Sequence, residues 1–286
     1  MRLKDYIYER NISVSTLSKQ SGLPYSTVSE IVNGKKTLGK CSAETVYKLA
    51  KALDSSVENL LLSENSSAFS DRFHLDRNQS LFLAKKHWDE NVYCGMKMEN
   101  RNVSFPQTKT ILEGVNVPGV RIDDITAILN MRDAWQFLLR NIDAKLDLDY
   151  ICTLNSYISR NEALEWGVLR YGKVGISGTD YSPEVPVKES VEADIQRIVS
   201  SYDNPTTKAL DLFGYITYKQ LFWDGNKRTA LTAANKILVS HGCGILTIKD
   251  QDMQEFNDLL RRMYDTGSRE NLQRFLHSKA IQGLEL

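Results

Sequence analysis

Two apolar runs at helical spacing, Ala209–Tyr218 and Thr229–Val239, are separated by the short stretch Gln220-Leu221-Phe222-Trp223-Asp224-Gly225-Asn226-Lys227-Arg228. Apolar residues recurring every three to four positions mark two packed helices, and Asp-Gly-Asn between them marks a tight turn. The chain must therefore fold so that a turn feeds directly into a buried helix. The first turn of any helix leaves backbone N–H groups without internal partners, and the helix dipole places partial positive charge there. Such a terminus is an anion site, to which Lys227 and Arg228 add two full positive charges. Asp224 supplies a carboxylate at the rim. One carboxylate beside a phosphate cradle suits Mg²⁺, which fills its shell with phosphate oxygens and water. The residues thus read either as a nucleotide–phosphate and metal site or as a surface turn with a solvated helix start.

Length and charge set the frame. With 286 residues the chain is long enough for two domains, and 42% hydrophobic content suits packed cores. Lys plus Arg equal Asp plus Glu at 36 each, so any basic surface has to be local. The N-terminus shows no apolar signal region and no run reaches a membrane-spanning length, which points to a cytoplasmic protein without a membrane partner. The cysteines Cys41, Cys94, Cys152 and Cys243 are scattered with no CxxC pair, and neither a disulfide framework nor a structural zinc site is expected.

Residues 1–62 read as five short helices. Leu3 and Ile7 mark the first, and Val14 and Leu17 the second. Gly22 marks a turn before Pro24 and the helix Tyr25–Val32, which Asn33-Gly34 ends; Ala43–Leu53 and Val57–Leu62 follow. This order resembles the helix-turn-helix of the Cro/lambda-repressor type. The resemblance implies that the Tyr25 helix enters a major groove of duplex DNA. Tyr25, Ser26, Thr27 and Ser29 would face the bases, and Asn33, Lys35 and Lys36 would meet phosphates. The segment holds nine Lys/Arg against six Asp/Glu. Two-fold operators imply a homodimer. Residues 63–79 are polar and Ser/Asn-rich and read as a linker.

Residues 80–286 form the second domain. Ser80–Met98 reads as one amphipathic helix, followed by helices over Ile122–Arg140, Leu148–Ile158, Val187–Tyr202, Pro205–Tyr218, Gln251–Tyr264 and Asn271–Ser278. Gly167–Gly178 alternates apolar and polar residues between glycines and reads as a β-hairpin. The expected fold class is mainly α, a five-helix N-terminal domain followed by an all-α bundle with one short hairpin.

The stretch after Lys219 resembles the signature of the Fic/Doc (Fido) family, His-Pro-Phe-x-Asp-Gly-Asn-Gly-Arg-x-x-Arg. Phe222, Asp224, Gly225, Asn226 and Arg228 match its core. Gln220 stands for the catalytic His, Leu221 for Pro, Lys227 for the second Gly and Leu231 for the second Arg. The resemblance implies a Fido bundle that binds ATP and Mg²⁺ and transfers AMP to a hydroxyl of a target protein, the chain itself included. Asp224 would hold the metal, and Gly225, Asn226, Lys227 and Arg228 would hold the phosphates. Val174 and Ile176 of the hairpin would form the target-binding flap. Glu99 would be an inhibitory glutamate, preferred over Glu113 because it closes a clear helix. A carboxamide has no basic nitrogen, so Gln220 cannot take the target's proton, and transfer is expected to be impaired. Lys227 also leaves open a Doc-like phosphotransfer, and a non-catalytic nucleotide-sensing regulator is the other reading.

Overall fold

In the structure, a computed structural model, residues 3, 7, 12–58, 60–61, 69–201 and 203–284 are described. The chain divides into two units, Met1–Ser70 with Tyr202–Asn204, and Asp71–Ser201 with Pro205–Leu286.

In the first unit, helix α1 (Val14–Ser21) starts where Ser13 accepts a hydrogen bond from the N–H of Thr16 and stops at Gly22, whose φ of 67° is the left-handed value glycine adopts without strain. Pro24 then fixes the entry to α2 (Tyr25–Val32), and Ser42 caps α3 (Ala43–Ala52). Leu17, Val28, Ile31, Val46 and Leu49 turn inwards and pack with Leu3, Ile7 and Leu60. Each buried aliphatic side chain contributes about 1.5–3 kcal/mol relative to exposure, which holds helices too short to persist alone. Of the first and fifth expected helices, residues 3, 7, 57, 58, 60 and 61 are helical, and the rest of both lies outside the described residues.

The second unit is a helical bundle. The expected Ser80–Met98 helix is two helices, α4 (Arg77–Lys86) and α5 (Trp88–Met98), broken at His87. A capping box between Asp76 and Gln79 starts α4 three residues early, and Asp89 and Glu90 supply the acidic first turn of α5. Residues 71–79, which the sequence places in the linker, belong to this unit. There the N–H of Leu75 donates to the Gly242 carbonyl (2.9 Å), and Arg72 donates to the carbonyls of His277 and Ser278.

The chain continues through α6 (Phe105–Leu112), α7 (Ile122–Arg140), α8 (Leu148–Ile158), α9 (Lys188–Val199), α10 (Pro205–Lys219), α11 (Asn226–Ser240), α12 (Met253–Thr266) and α13 (Glu270–Phe275). Helix α11 is buried on nearly every side, packed against α10, α8 and α7. Its small and apolar residues pack on every side rather than along one stripe, and its buried polar side chains are hydrogen-bonded, Asn235 Nδ2 to the Leu246 carbonyl and Lys236 Nζ to the Ile142 carbonyl. Strands β1 (Ile245–Leu246) and β2 (Ile281–Gln282) pair antiparallel in the register Ile245↔Gln282.

The hairpin expected over 167–178 is absent as such. The segment is extended and irregular, with no strand pairing. Its alternation survives, with Val174 and Ile176 half-buried and Lys173, Gly175 and Ser177 exposed. The reason is that its backbone is engaged elsewhere: Arg170 N–H donates to the Leu221 carbonyl, and the Gly172 carbonyl accepts from the Arg170 guanidinium. Among the described residues no helix is long and apolar enough to cross a membrane.

Candidate functional site

Helix α10 ends at Lys219, and Gln220 follows with φ 48°, a left-handed backbone unusual for a side-chain-bearing residue. Leu221 and Phe222 then plunge into the core. The turn closes on Gly225 at φ 71°, which caps α11. Glycine is required there twice over, because a Cβ would lie 2.3 Å from Ser159 Oγ. From α8, Asn155 Nδ2 and Ser159 Oγ each donate to the Asp224 carbonyl at 3.0 Å. Asn226 bends back over its own turn: its Oδ1 accepts from Phe222 N–H (2.9 Å) and its Nδ2 donates to the Phe222 carbonyl (2.9 Å). Asn226, the side chain expected on phosphate, thus braces the loop with these two hydrogen bonds and also lines the cavity in front of the turn.

Gln220 is fixed at both ends of its amide. Its Nε2 donates to the Thr217 carbonyl (2.7 Å) and to Tyr264 Oη (3.1 Å), while its Oε1 accepts from Asn226 Nδ2 (3.1 Å). Burial raises the Tyr264 hydroxyl well above the ordinary phenol range, so it stays protonated and donates in turn to the Thr217 carbonyl (3.2 Å).

Glu99, at the end of α5, reaches this turn. Its Oε2 lies 3.1 Å from Lys227 Nζ, which also donates to the Met98 carbonyl (2.5 Å). Its Oε1 lies 3.6 Å from Arg228 Nε. Burial pushes the Glu99 carboxyl up, but Lys227, Arg228 and Arg101 outweigh it and hold the group below the usual carboxylate range. The signature's second Arg position, Leu231, is fully buried in the core, yet Glu99 finds cations in Lys227 and Arg228 instead. Arg228 is 1% exposed; its Nη1 donates to Glu162 Oε1 (3.0 Å) and the Ile158 carbonyl (3.2 Å). Glu162 also pairs with Arg101.

A cavity of about 330 Å³ opens here, lined by Glu99, Val174, Ile176, Gln220, Asp224 and Lys227 among others. A neighbouring cavity of about 460 Å³ is lined by Glu99, Arg101, Asp124, Asp224 and Arg228. The site residues expected from sequence in this unit thus converge on one place. Among the described residues, no cluster of three His, Cys, Asp or Glu side chains could hold a metal alone. Asp224, whose Oδ1 accepts from Gly225 N–H (2.6 Å), lines both cavities together with Glu99, and one such carboxylate could hold Mg²⁺ only with phosphate oxygens completing the shell.

In the first unit Tyr25, Ser26, Asn33, Lys35 and Lys36 are exposed, and Thr27 and Ser29 half-buried. Ser29 Oγ accepts from Asn33 Nδ2 (3.1 Å). Val28 and Ile31 form the opposite, buried face.

Sequence reasoning missed Asn155, Ser159, Glu162, Arg170 and Tyr264. The spacing of Asn155 and Ser159 by one helical turn is the only signal the chain carries for any of them.

Residues 2–62 match the model of a Cro/C1-type HTH DNA-binding domain, and residues 145–238 match that of the Fic/DOC family. The chain joins a Cro/C1-type helix-turn-helix domain to a Fic/DOC domain. The Fic match spans α8 to α11 and so contains Asn155, Arg170, Gln220 and the whole turn.

Solved structures share this fold. A Fic family protein from Desulfovibrio desulfuricans G20 aligns with TM-score 0.57 at 15% identity, covering 68% of this chain and 64% of that one. Fic-1 (residues 134–508) from C. elegans aligns with TM-score 0.57 at 17% identity over 92% of both chains. A Fic domain containing signaling protein from Bacteroides thetaiotaomicron VPI-5482 gives 0.56 at 17%, over 71% of this chain and 86% of its own. At these identities the likeness is one of fold. No curated protein matches the sequence.

Proposed function

We propose that the Fic/DOC domain binds Mg²⁺–ATP and is impaired in AMP transfer, serving as a nucleotide-responsive partner to the helix-turn-helix domain, which binds duplex DNA. The carrying observation is Gln220, whose carboxamide is hydrogen-bonded at both ends in the position of the signature His. It orients the turn and has no nitrogen that could accept a target hydroxyl's proton. Loss of a general base typically removes about 10² to 10⁴ in rate, whereas positioning and charge stabilisation survive.

The binding half rests on chain groups that suit a polyanion. The α11 N-terminus, Lys227 and Arg228 provide positive charge, and Arg228 Nε is buried without a hydrogen-bond acceptor among the described residues. When bound, Mg²⁺ would neutralise phosphate charge beside Asp224. Glu99, lying on Lys227 and Arg228, stands where a terminal phosphate would compete with it, which makes it the inhibitory residue in this reading. Val174 and Ile176 line the cavity, and in this reading their segment is the one that would meet the target.

The test is incubation with α-labelled and γ-labelled ATP, wild type beside Gln220→His. The expected result is ATP binding by both proteins, little incorporation by the wild type, and α-label incorporation at least a hundredfold higher in the variant. Label from the γ position alone would replace AMP transfer with Doc-like phosphotransfer. Absence of ATP binding by either protein would overturn the reading.

A further inference from the structure

Arg170 is 1% exposed and lies outside the signature turn. Among the described residues, each hydrogen bond its guanidinium gives goes to a main-chain carbonyl. Nε donates to Gln220 (2.5 Å) and Nη1 to Gly172 (2.6 Å). Nη2 donates to Glu184 (2.6 Å), with longer contacts to Pro183 (3.2 Å) and Lys219 (3.4 Å). Its own N–H donates to the Leu221 carbonyl (3.0 Å). None of these acceptors is a carboxylate. A guanidinium does not lose its proton in proteins, so a full positive charge stays behind the wall of the cavity. Burying a charge without a counter-ion is costly, and carbonyl dipoles meet that cost only in part.

The position of these carbonyls matters as much as the charge. Gly172 and Pro183-Glu184 are the two feet of the segment carrying Val174 and Ile176. Lys219-Gln220 is the end of α10, where the signature begins. A second contact reinforces the first foot, since Gly172 lies against the Trp223 indole so closely that a Cβ would sit 2.6 Å from its Cη2. The tip is tied separately, by Thr179 Oγ1 donating to Asp265 Oδ1 (2.6 Å).

We propose that Arg170 is a positioning residue that fastens both feet of the 172–184 arch to the turn bearing Gln220, and that its charge favours an anionic ligand in the cavity in front of it. The electrostatic half rests on the nucleotide reading above; the clamp does not. Lysine at this place keeps the charge but cannot span carbonyls of three segments, because its donors radiate from one nitrogen. Glutamine loses the charge as well. The two variants therefore separate the two roles.

The experiment measures Mg²⁺–ATP and adenosine affinity by calorimetry, and amide hydrogen exchange over residues 171–186, in the full chain and in Arg170→Lys and Arg170→Gln. Arg170→Gln is expected to lose roughly tenfold or more in ATP affinity with adenosine affinity unchanged, the size of a one-charge effect at an effective dielectric near 20. Arg170→Lys is expected to keep ATP affinity within about threefold while residues 171–186 exchange faster than in the wild type. Equal losses for ATP and adenosine, or full ATP affinity in Arg170→Gln, would overturn the electrostatic half. Unchanged exchange in Arg170→Lys would overturn the clamp, and should Arg170→Gln fail to fold, the lysine variant still decides it. A wild type that binds no ATP defeats the nucleotide reading and the electrostatic half together, and leaves the exchange comparison standing.

Discussion

Glu99 Oε1 lies 3.6 Å from Arg228 Nε, too far for a hydrogen bond, and that nitrogen has no other hydrogen-bond acceptor among the described residues. The same carboxylate sits closer to Lys227 Nζ, at 3.1 Å. Glu99 therefore neutralises Arg228 without saturating it, and under the nucleotide-binding proposal a phosphate oxygen arriving at the turn would compete with a partial contact. Removing the competitor should favour the ligand. Glu99→Gln is expected to tighten Mg²⁺–ATP binding about five- to thirtyfold, the equivalent of about 1–2 kcal/mol, read by calorimetry at constant ionic strength. An unchanged or weaker affinity would show that Glu99 does not compete for that place.

Glu99 also ties stability to pH, and the sign is fixed. Its folded carboxyl titrates below the usual range because Lys227, Arg228 and Arg101 outweigh burial. A group depressed on folding stabilises the protein above its unfolded value of about 4.3, and that contribution is lost as pH falls through the lower folded value. The Tm difference between wild type and Glu99→Gln should therefore be flat from about pH 5 to 8 and shrink only in the acid range below it. Melts across that range would contradict the assignment if the difference shrank near neutrality.

What the sequence could and could not reveal divides along contact range. The turn was legible because Asp224-Gly225-Asn226 encodes a local backbone shape, and Gly225 adopts the left-handed value that such a turn demands. Glu99 was legible as a helix end. Its partners were not, because pairing α5 with α11 depends on packing that no spacing records. Arg170 was hidden for the same reason, and it accounts for the missing hairpin: the period-two pattern is present, but the backbone partners of that segment are a guanidinium and the α10 exit rather than a second strand. The broken α4–α5 helix shows the opposite case. A capping box at Asp76–Gln79 and acids at positions 89 and 90 were visible signals of two starts, and the apolar periodicity ran through them.

Gly225 is the backbone position on which the turn closes. Alanine there must hold φ near 71° and place its methyl 2.3 Å from Ser159 Oγ and 2.9 Å from Ile158 Cγ2. Gly225→Ala is expected to destabilise the protein by about 2–4 kcal/mol, from left-handed strain plus overpacking, and to weaken nucleotide binding. Chemical denaturation with Ser159→Ala in the same background checks the mechanism, since removing the hydroxyl should recover part of the loss. No recovery would place the strain elsewhere.

The helix-turn-helix unit presents Lys35 and Lys36 at the end of α2, both exposed, while Tyr25 and Ser26 open the helix. Phosphate contacts and base contacts make different predictions. Lys35→Ala and Lys36→Ala should each lower the slope of log affinity against log salt by about 1 and weaken all duplexes alike. Ser26→Ala should leave that slope unchanged and alter preference among sequences by about 1–3 kcal/mol. Anisotropy titrations between 50 and 200 mM salt separate the two, and a lysine variant with an unchanged slope would remove that residue from the phosphate face.

Gln220 raises the question of whether another group serves as base in its place, and Tyr264 is the side chain whose oxygen it touches, at 3.1 Å. Burial pushes that hydroxyl far up, against the smaller opposing effect of the Gln220 hydrogen bond, and so no phenolate forms in the physiological range. A neutral phenol that already donates to the Thr217 carbonyl accepts no proton from a target hydroxyl. The residual transfer rate of the wild type should therefore show no ionisation limb between about pH 6 and 9, and Tyr264→Phe should change it less than about threefold. In Gln220→His the same profile should gain a limb near the ordinary imidazole value of about 6.5, because a base with a pKa in that region now carries the proton. A wild-type profile with its own limb, abolished in Tyr264→Phe, would make the tyrosine the base and overturn the account of Gln220 as the cause of impaired transfer.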